Sequence, residues 1–166
     1  MVRKKAKQFT RRFLGNDAKE WARVERRLRG ARVVDLATCD DEGPHVRPVT
    51  LVEAGRAHYV LTGTSDAKVR QLRYDPRYEA HLAWRRGEDI GYIRIRGRAE
   101  AVEDRDEKRA AADASGFVES YWDGLDDPEL TVLRLGIEAA EVMPPGGHEW
   151  THLSRGGEAP RGRGTD

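Results

Sequence analysis

Tyr92-Ile-Arg-Ile-Arg-Gly-Arg-Ala-Glu-Ala-Val102 alternates with a period of two. Ile93, Ile95, Gly97, Ala99 and Ala101 face one way, and Tyr92, Arg94, Arg96, Arg98 and Glu100 face the other. That pattern predicts a strand with one face on a core and the other in a polar setting. Upstream, residues 77–84 read as a strand that turns through 85–89 into it, and residues 31–38, 45–52 and 57–61 read as a meander of antiparallel hairpins. In the first of those turns, Asp40-Asp41-Glu42-Gly43-Pro44, Gly43 makes the reversal sterically easy. Residues 66–74 have helical spacing, with Val69 and Leu72 one turn apart, and Asp75-Pro76 stops them because proline disfavours helical geometry in the residue before it. Downstream, Asp104 and Glu107 have capping-box spacing and open an alanine-rich helix to about residue 114. Residues 131–143 supply a last strand. A first helix over 17–30 carries Ala18, Trp21, Val24 and Leu28 on one face and ends at Gly30. Five or six antiparallel strands without βαβ alternation point to a small closed or split β-barrel rather than a parallel sheet.

The chain of 166 residues is long enough for one domain with a real core, but not for two substantial ones. Thirty basic and 29 acidic side chains leave a formal net charge of +1, so an electrostatic partner must meet a local patch. One such patch is residues 1–16, where Arg3, Lys4, Lys5, Lys7, Arg11 and Arg12 surround Phe9 and Phe13. A solvated tail is the plain reading of this basic arm, and a nucleic-acid or anionic-membrane contact the alternative. No apolar run approaches the roughly 20 residues of a membrane-spanning helix. Cys39 is the single cysteine, which excludes an intramolecular disulfide and a multi-cysteine zinc site. With no signal peptide visible, a cytoplasmic location is expected. Residues 144–166 are rich in Pro and Gly and predict a mostly disordered tail.

Chemistry concentrates in Tyr59-Val-Leu-Thr-Gly-Thr-Ser-Asp-Ala-Lys68. A strand delivers Thr62, Gly63, Thr64 and Ser65 to a helix N-terminus, where unpaired N–H groups and the positive end of the dipole attract an anion. Lys68 in the first turn adds a full charge. The set forms a plausible phosphate cradle without the spacing of a nucleotide P-loop. The competing reading is that Thr64 or Ser65 caps the helix and Lys68 points into water, and Asp66 opposes a phosphate if its carboxylate faces the same pocket. In His45-Val-Arg-Pro-Val-Thr-Leu51, Pro48 lacks a ladder donor and places the strand at a sheet edge, a bulge or a ligand approach, where Arg47 either reaches an anion or is solvated. No hydrolytic or metal motif assembles: Glu149 does stand between His148 and His152 in His-Glu-x-x-His spacing, but the three lie in the Gly/Pro-rich tail, where no zinc helix is expected.

In order and spacing, Asp35-Leu-Ala-Thr-Cys-Asp-Asp-Glu-Gly-Pro-His-Val-Arg-Pro-Val49, Tyr59-Val-Leu-Thr62, Lys68-Val-Arg-Gln-Leu-Arg-Tyr-Asp-Pro76 and Tyr92 to Glu100 resemble the pyridoxamine 5′-phosphate oxidase-like family of FMN-binding split barrels, in particular its general-stress-protein branch. The resemblance spans residues 17–143. It implies a mainly β (α+β) fold, an antiparallel six-stranded split β-barrel with flanking short helices, and a homodimer with FMN at the interface. Arg47, Pro48, Val49 and Thr50 would then lie along the flavin ring, with the arginine near the phosphate. Thr62 and Lys68 match phosphate-binding positions, Gly63, Thr64 and Ser65 complete the cradle, and Tyr92 would reach the flavin from the partner chain.

Two departures accompany the resemblance. Asp66-Ala67 stand where the family's oxidases offer serine and arginine to the phosphate. Their C-terminal arginine and histidine set for pyridoxal phosphate has no counterpart, so vitamin B6 oxidation is not expected. The expected function is therefore an FMN-dependent oxidoreductase acting on an unidentified small molecule. The alternatives are a deazaflavin-dependent reductase, with Arg70 and Arg73 near the coenzyme's anionic tail, or a non-catalytic protein binding flavin, haem or nucleic acid.

Overall fold

The computed structural model describes residues 17–155. The predicted basic arm, and residues 156–166 of the predicted tail, lie outside them. In chain order the elements are α1 (Asp17–Arg29), β1 (Val33–Asp40), β2 (Gly43–Thr50), β3 (Val52–Ala54), β4 (Ala57–Gly63), α2 (Ala67–Tyr74), β5 (Arg77–Arg86), β6 (Asp89–Ala101), α3 (Arg105–Ser115), a 3₁₀ turn (Val118–Ser120), β7 (Leu130–Met143) and β8 (Thr151–Ser154).

All the strand pairings are antiparallel, in the order β2-β1-β5-β6-β7-β4-β3, with β8 added on β7. β2 and β3 are separated in sequence only by Leu51 yet lie at opposite ends of that order. A flat sheet cannot satisfy this, so the sheet curls until one nearly continuous strand serves both edges. The mainly β, split-barrel expectation is met, with eight strands among the described residues in place of six. One extra strand arises because the predicted run over 45–52 divides at Leu51: its N–H still bonds the Arg32 carbonyl at 3.0 Å, in register with the β1–β2 pairing, whereas Val52 pairs with Tyr59 of β4. The other is β8.

The barrel interior is filled from every strand of the curl except β3, with Leu36, Val60, Ile93 and Ile95 almost fully buried, and α1 adds Val24 and Leu28. Ala18, predicted on that helical face, is exposed. The alternation of β6 holds from Ile93 to Ala99, and Ala101 departs from it, being exposed at the strand end. A second cluster, including Tyr59, Leu61 and Val132 on the other side of the sheet, is covered by Ala111 of α3 and by Val118. Gly43 has φ +115°, so the first hairpin turn does use a backbone conformation that glycine adopts without strain.

Residues 144–155 are ordered, contrary to the expectation for the tail. Two apolar side chains anchor the segment. Leu153 is buried in the barrel core, and Trp150 lies under the Arg94 guanidinium, 4.4 Å from ring centroid to carbon. β8 then pairs Ser154 with Ala139 and Leu153 with Ala140. Proline and glycine content signalled disorder, but long-range pairing with β7, the burial of Leu153 and the contact of Trp150 with Arg94 outweigh it.

Asp104 caps α3 as its spacing predicts, accepting the Glu107 N–H at 2.8 Å. The reciprocal half of the box is not made; Glu107 instead accepts the Tyr59 hydroxyl at 2.9 Å and so ties α3 to β4. Asp104→Ala is expected to lower stability by about 1 kcal/mol, the ordinary cost of an N-cap, read from the midpoint of urea denaturation.

Candidate functional site

β4 ends at Gly63, and a tight turn, closed by the Asp66 N–H on the Gly63 carbonyl at 3.0 Å, starts α2. The strand therefore delivers its last side chains to the helix N-terminus, as the sequence predicts. Thr62 is buried and Lys68 keeps only 16% of its side-chain surface. Lys68 donates to Thr62 Oγ1 at 2.6 Å and to Asp66 Oδ2 at 2.7 Å. The same Oδ2 accepts the Gly63 N–H at 3.1 Å and the Thr62 hydroxyl. One carboxylate oxygen thus collects an ammonium, a hydroxyl and a backbone N–H, a donor set that suits any oxyanion. Lys68 first, and Thr62 next, hold the Asp66 carboxyl below its ordinary range. Its charged form stabilises the fold above the ordinary carboxylate pKa, and that contribution is lost only as pH falls through the lower folded value.

Asp66 occupies the N-cap position but makes no side-chain cap bond, so it does not do the usual work of an aspartate there. Neither Thr64 nor Ser65 takes that role. Thr64 turns away, donating to the Pro128 carbonyl at 2.9 Å with its oxygen 2.8 Å from Thr131 Oγ1, and Ser65 is exposed. Gly63 leaves the space open, since a Cβ there would stand 3.5 Å from Asp66 Cγ and line the cradle.

β2 is an edge of the sheet order, the place Pro48 requires. Pro48 and Thr50 are exposed and Val49 points into the core. The Arg47 guanidinium is fixed rather than solvated. It donates to Thr38 Oγ1 at 2.6 Å, to Gln71 Oε1 at 2.8 Å and to the Leu36 carbonyl at 3.3 Å. Burial lowers its pKa and nearby Asp40 opposes that. Gln71, missed in the sequence, is the hub of this network, accepting also from Thr38 at 2.7 Å and donating to Asp40 at 2.9 Å. Its spacing from Lys68 was the available signal, because three positions on a helix share a face. Asp40 also holds His45 at 2.8 Å. Asp40, Glu42 and His45 bring potential metal-ligand atoms within 4.8 Å of one another, but that hydrogen bond already engages two of them.

Tyr92 lies apart from the cradle, on the outward face of β6, stacked on His81 at 5.7 Å and tilted against Trp150 at 6.5 Å. No described helix is long and apolar enough to cross a membrane.

Residues 21–143 match the family model described as pyridoxamine 5′-phosphate oxidase. General stress protein 26 of Bacillus subtilis is 27% identical over 116 residues, which cover 69% of this chain and 81% of that protein. Among solved structures, a NimC/NimA family protein from Clostridium acetobutylicum is similar with a TM-score of 0.69 and 20% identity, over 84% of this chain and 94% of that one. A heme binding protein from Mycobacterium smegmatis is similar with a TM-score of 0.65 and 23% identity, over 82% of this chain but 57% of its own. At these identities the two structures speak for the fold.

Proposed function

The chain belongs to the pyridoxamine 5′-phosphate oxidase family, and from that premise we propose that it is an FMN-binding oxidoreductase acting on a small molecule, with its cofactor bound at a homodimer interface. The observation that carries this reading is the convergence of Lys68, Thr62 and the Gly63 N–H on a single anionic oxygen. These donors are the ones that would hold the cofactor phosphate, and the uncapped start of α2 lies beside them. Arg47, Pro48, Val49 and Thr50 would border the ring from edge strand β2, where Val46 is 67% exposed and offers an apolar surface for a partner or a planar ligand. Arg47 enters that task already oriented by Thr38 and Gln71. Tyr92 faces outward, so a second protomer is the means of bringing it to the flavin.

Bound FMN supplies the two-electron chemistry, and the chain's own residues bind and orient it. The described residues present no hydrolytic set that would compete with this reading. The family generally binds flavin or haem, and the heme binding neighbour makes haem the second cofactor to test for. The visible absorption spectrum of freshly purified protein, before and after FMN is added and the excess removed, tests the proposal. Flavin bands near one per chain are expected, with the released chromophore identified by mass. A haem or deazaflavin spectrum would replace the cofactor, and protein that neither carries nor takes up flavin would refute the FMN reading.

A further inference from the structure

We propose that Asp66 is a built-in competitor for the phosphate cradle, so that an anionic cofactor binds only by displacing the protein's own carboxylate and residue 66 sets its affinity. The inference rests on the FMN reading and adds a determinant of binding strength to it.

Asp66 Oδ2 sits where a phosphate oxygen would have to sit, since it already takes the ammonium of Lys68, the hydroxyl of Thr62 and the N–H of Gly63. A second oxyanion cannot take the same place while the carboxylate remains, because two like charges in contact repel and the Thr62 hydroxyl and Gly63 N–H are already donated to Asp66. The side-chain contacts of Asp66 come at the expense of the helix, whose N-cap bond is not made. Lys68 is mostly covered, and a covered ammonium needs a counter-charge. Asp66 supplies it now, and an incoming phosphate would supply it after exchange. Escape is open, because 46% of the Asp66 side chain is exposed and rotation about its first torsion carries the carboxylate to solvent. Exchange thus swaps one anion for another, and the bound state loses the cost of evicting the first. Affinity for FMN is lower than the donor set alone would give, and the penalty falls on the phosphate and not on the ring.

Calorimetric titration of the full chain tests this, with FMN, riboflavin and inorganic phosphate as separate ligands at fixed ionic strength. Asp66→Asn, which keeps the shape and removes the charge, and Asp66→Ala are each expected to bind FMN at least about tenfold more tightly than the unaltered protein, with riboflavin unchanged. Adding Lys68→Ala to Asp66→Ala should abolish the gain. If both single variants bind FMN measurably but no better than the unaltered protein, or if riboflavin gains equally, the competitor role is overturned and the FMN reading stands. If neither the unaltered protein nor any variant binds FMN, both fall.

Discussion

Gly97→Ala is expected to cost the fold more than about 3 kcal/mol, a large part of the roughly 5–15 kcal/mol that holds a domain together. Gly97 pairs with Tyr78 on one side and Ile137 on the other, at the point where the β6–β7 register shifts and Glu138 is left over. A Cβ at this position would stand 1.8 Å from the Gly136 carbonyl oxygen and 2.9 Å from its carbon. The obstacle is backbone, so no rotamer relieves it. That same oxygen accepts the Tyr78 hydroxyl at 3.3 Å, and Tyr78 is a core residue, so moving the β7 bulge would also disturb the barrel interior. Urea denaturation followed by circular dichroism reads the loss. Gly30→Ala is the control, because a Cβ there would meet nothing closer than 3.8 Å, and a change within about 0.5 kcal/mol is expected. An unaltered midpoint for Gly97→Ala would mean that β6 and β7 part at the bulge without penalty.

The second large effect is on binding. Lys68→Ala should weaken FMN by about 1–3 kcal/mol, or roughly five- to 150-fold, as expected for a charge-assisted bond in a partly covered site. Two causes add. The ammonium that would face the phosphate is gone, and the Asp66 carboxylate, which Lys68 now neutralises at 2.7 Å, would confront the ligand without a counter-charge. Riboflavin, which lacks the phosphate, should lose little. Fluorescence titration of both ligands distinguishes a cradle contact from a general loss of structure, and an equal loss for the two would assign Lys68 a merely structural part.

Much of this architecture was legible from local pattern. The alternation in β6 shows because one face meets the barrel core and the other a polar row, so each residue reports its own side. Pro48 pointed to an edge, a bulge or a ligand approach because a missing donor is tolerated at such places, and the edge is the one realised. What stayed hidden depends on distant partners. Gly97 reads as one more inward position, and only the extra residue in β7 explains why no side chain fits. The docking of Leu153 and Trp150 required β7 and Arg94 to be in place. Arg47 was visible as a candidate, but its orientation is fixed by Gln71 on α2, and its hydrogen bond there closes a loop of 24 residues. The direction of Asp66 was the decisive unknown at the cradle. An aspartate before a helix ordinarily caps it, and here Lys68 and Thr62 draw the side chain to the strand end instead.

A crystal structure of the protein grown with saturating FMN tests the central claim most directly. The account predicts the phosphate within hydrogen-bond distance of Lys68 Nζ, Thr62 Oγ1 and the Gly63 N–H, with the Asp66 carboxylate turned out to solvent and Tyr92 of a second protomer at the ring. FMN bound elsewhere, with the Asp66 carboxylate still seated on those three donors, would contradict it.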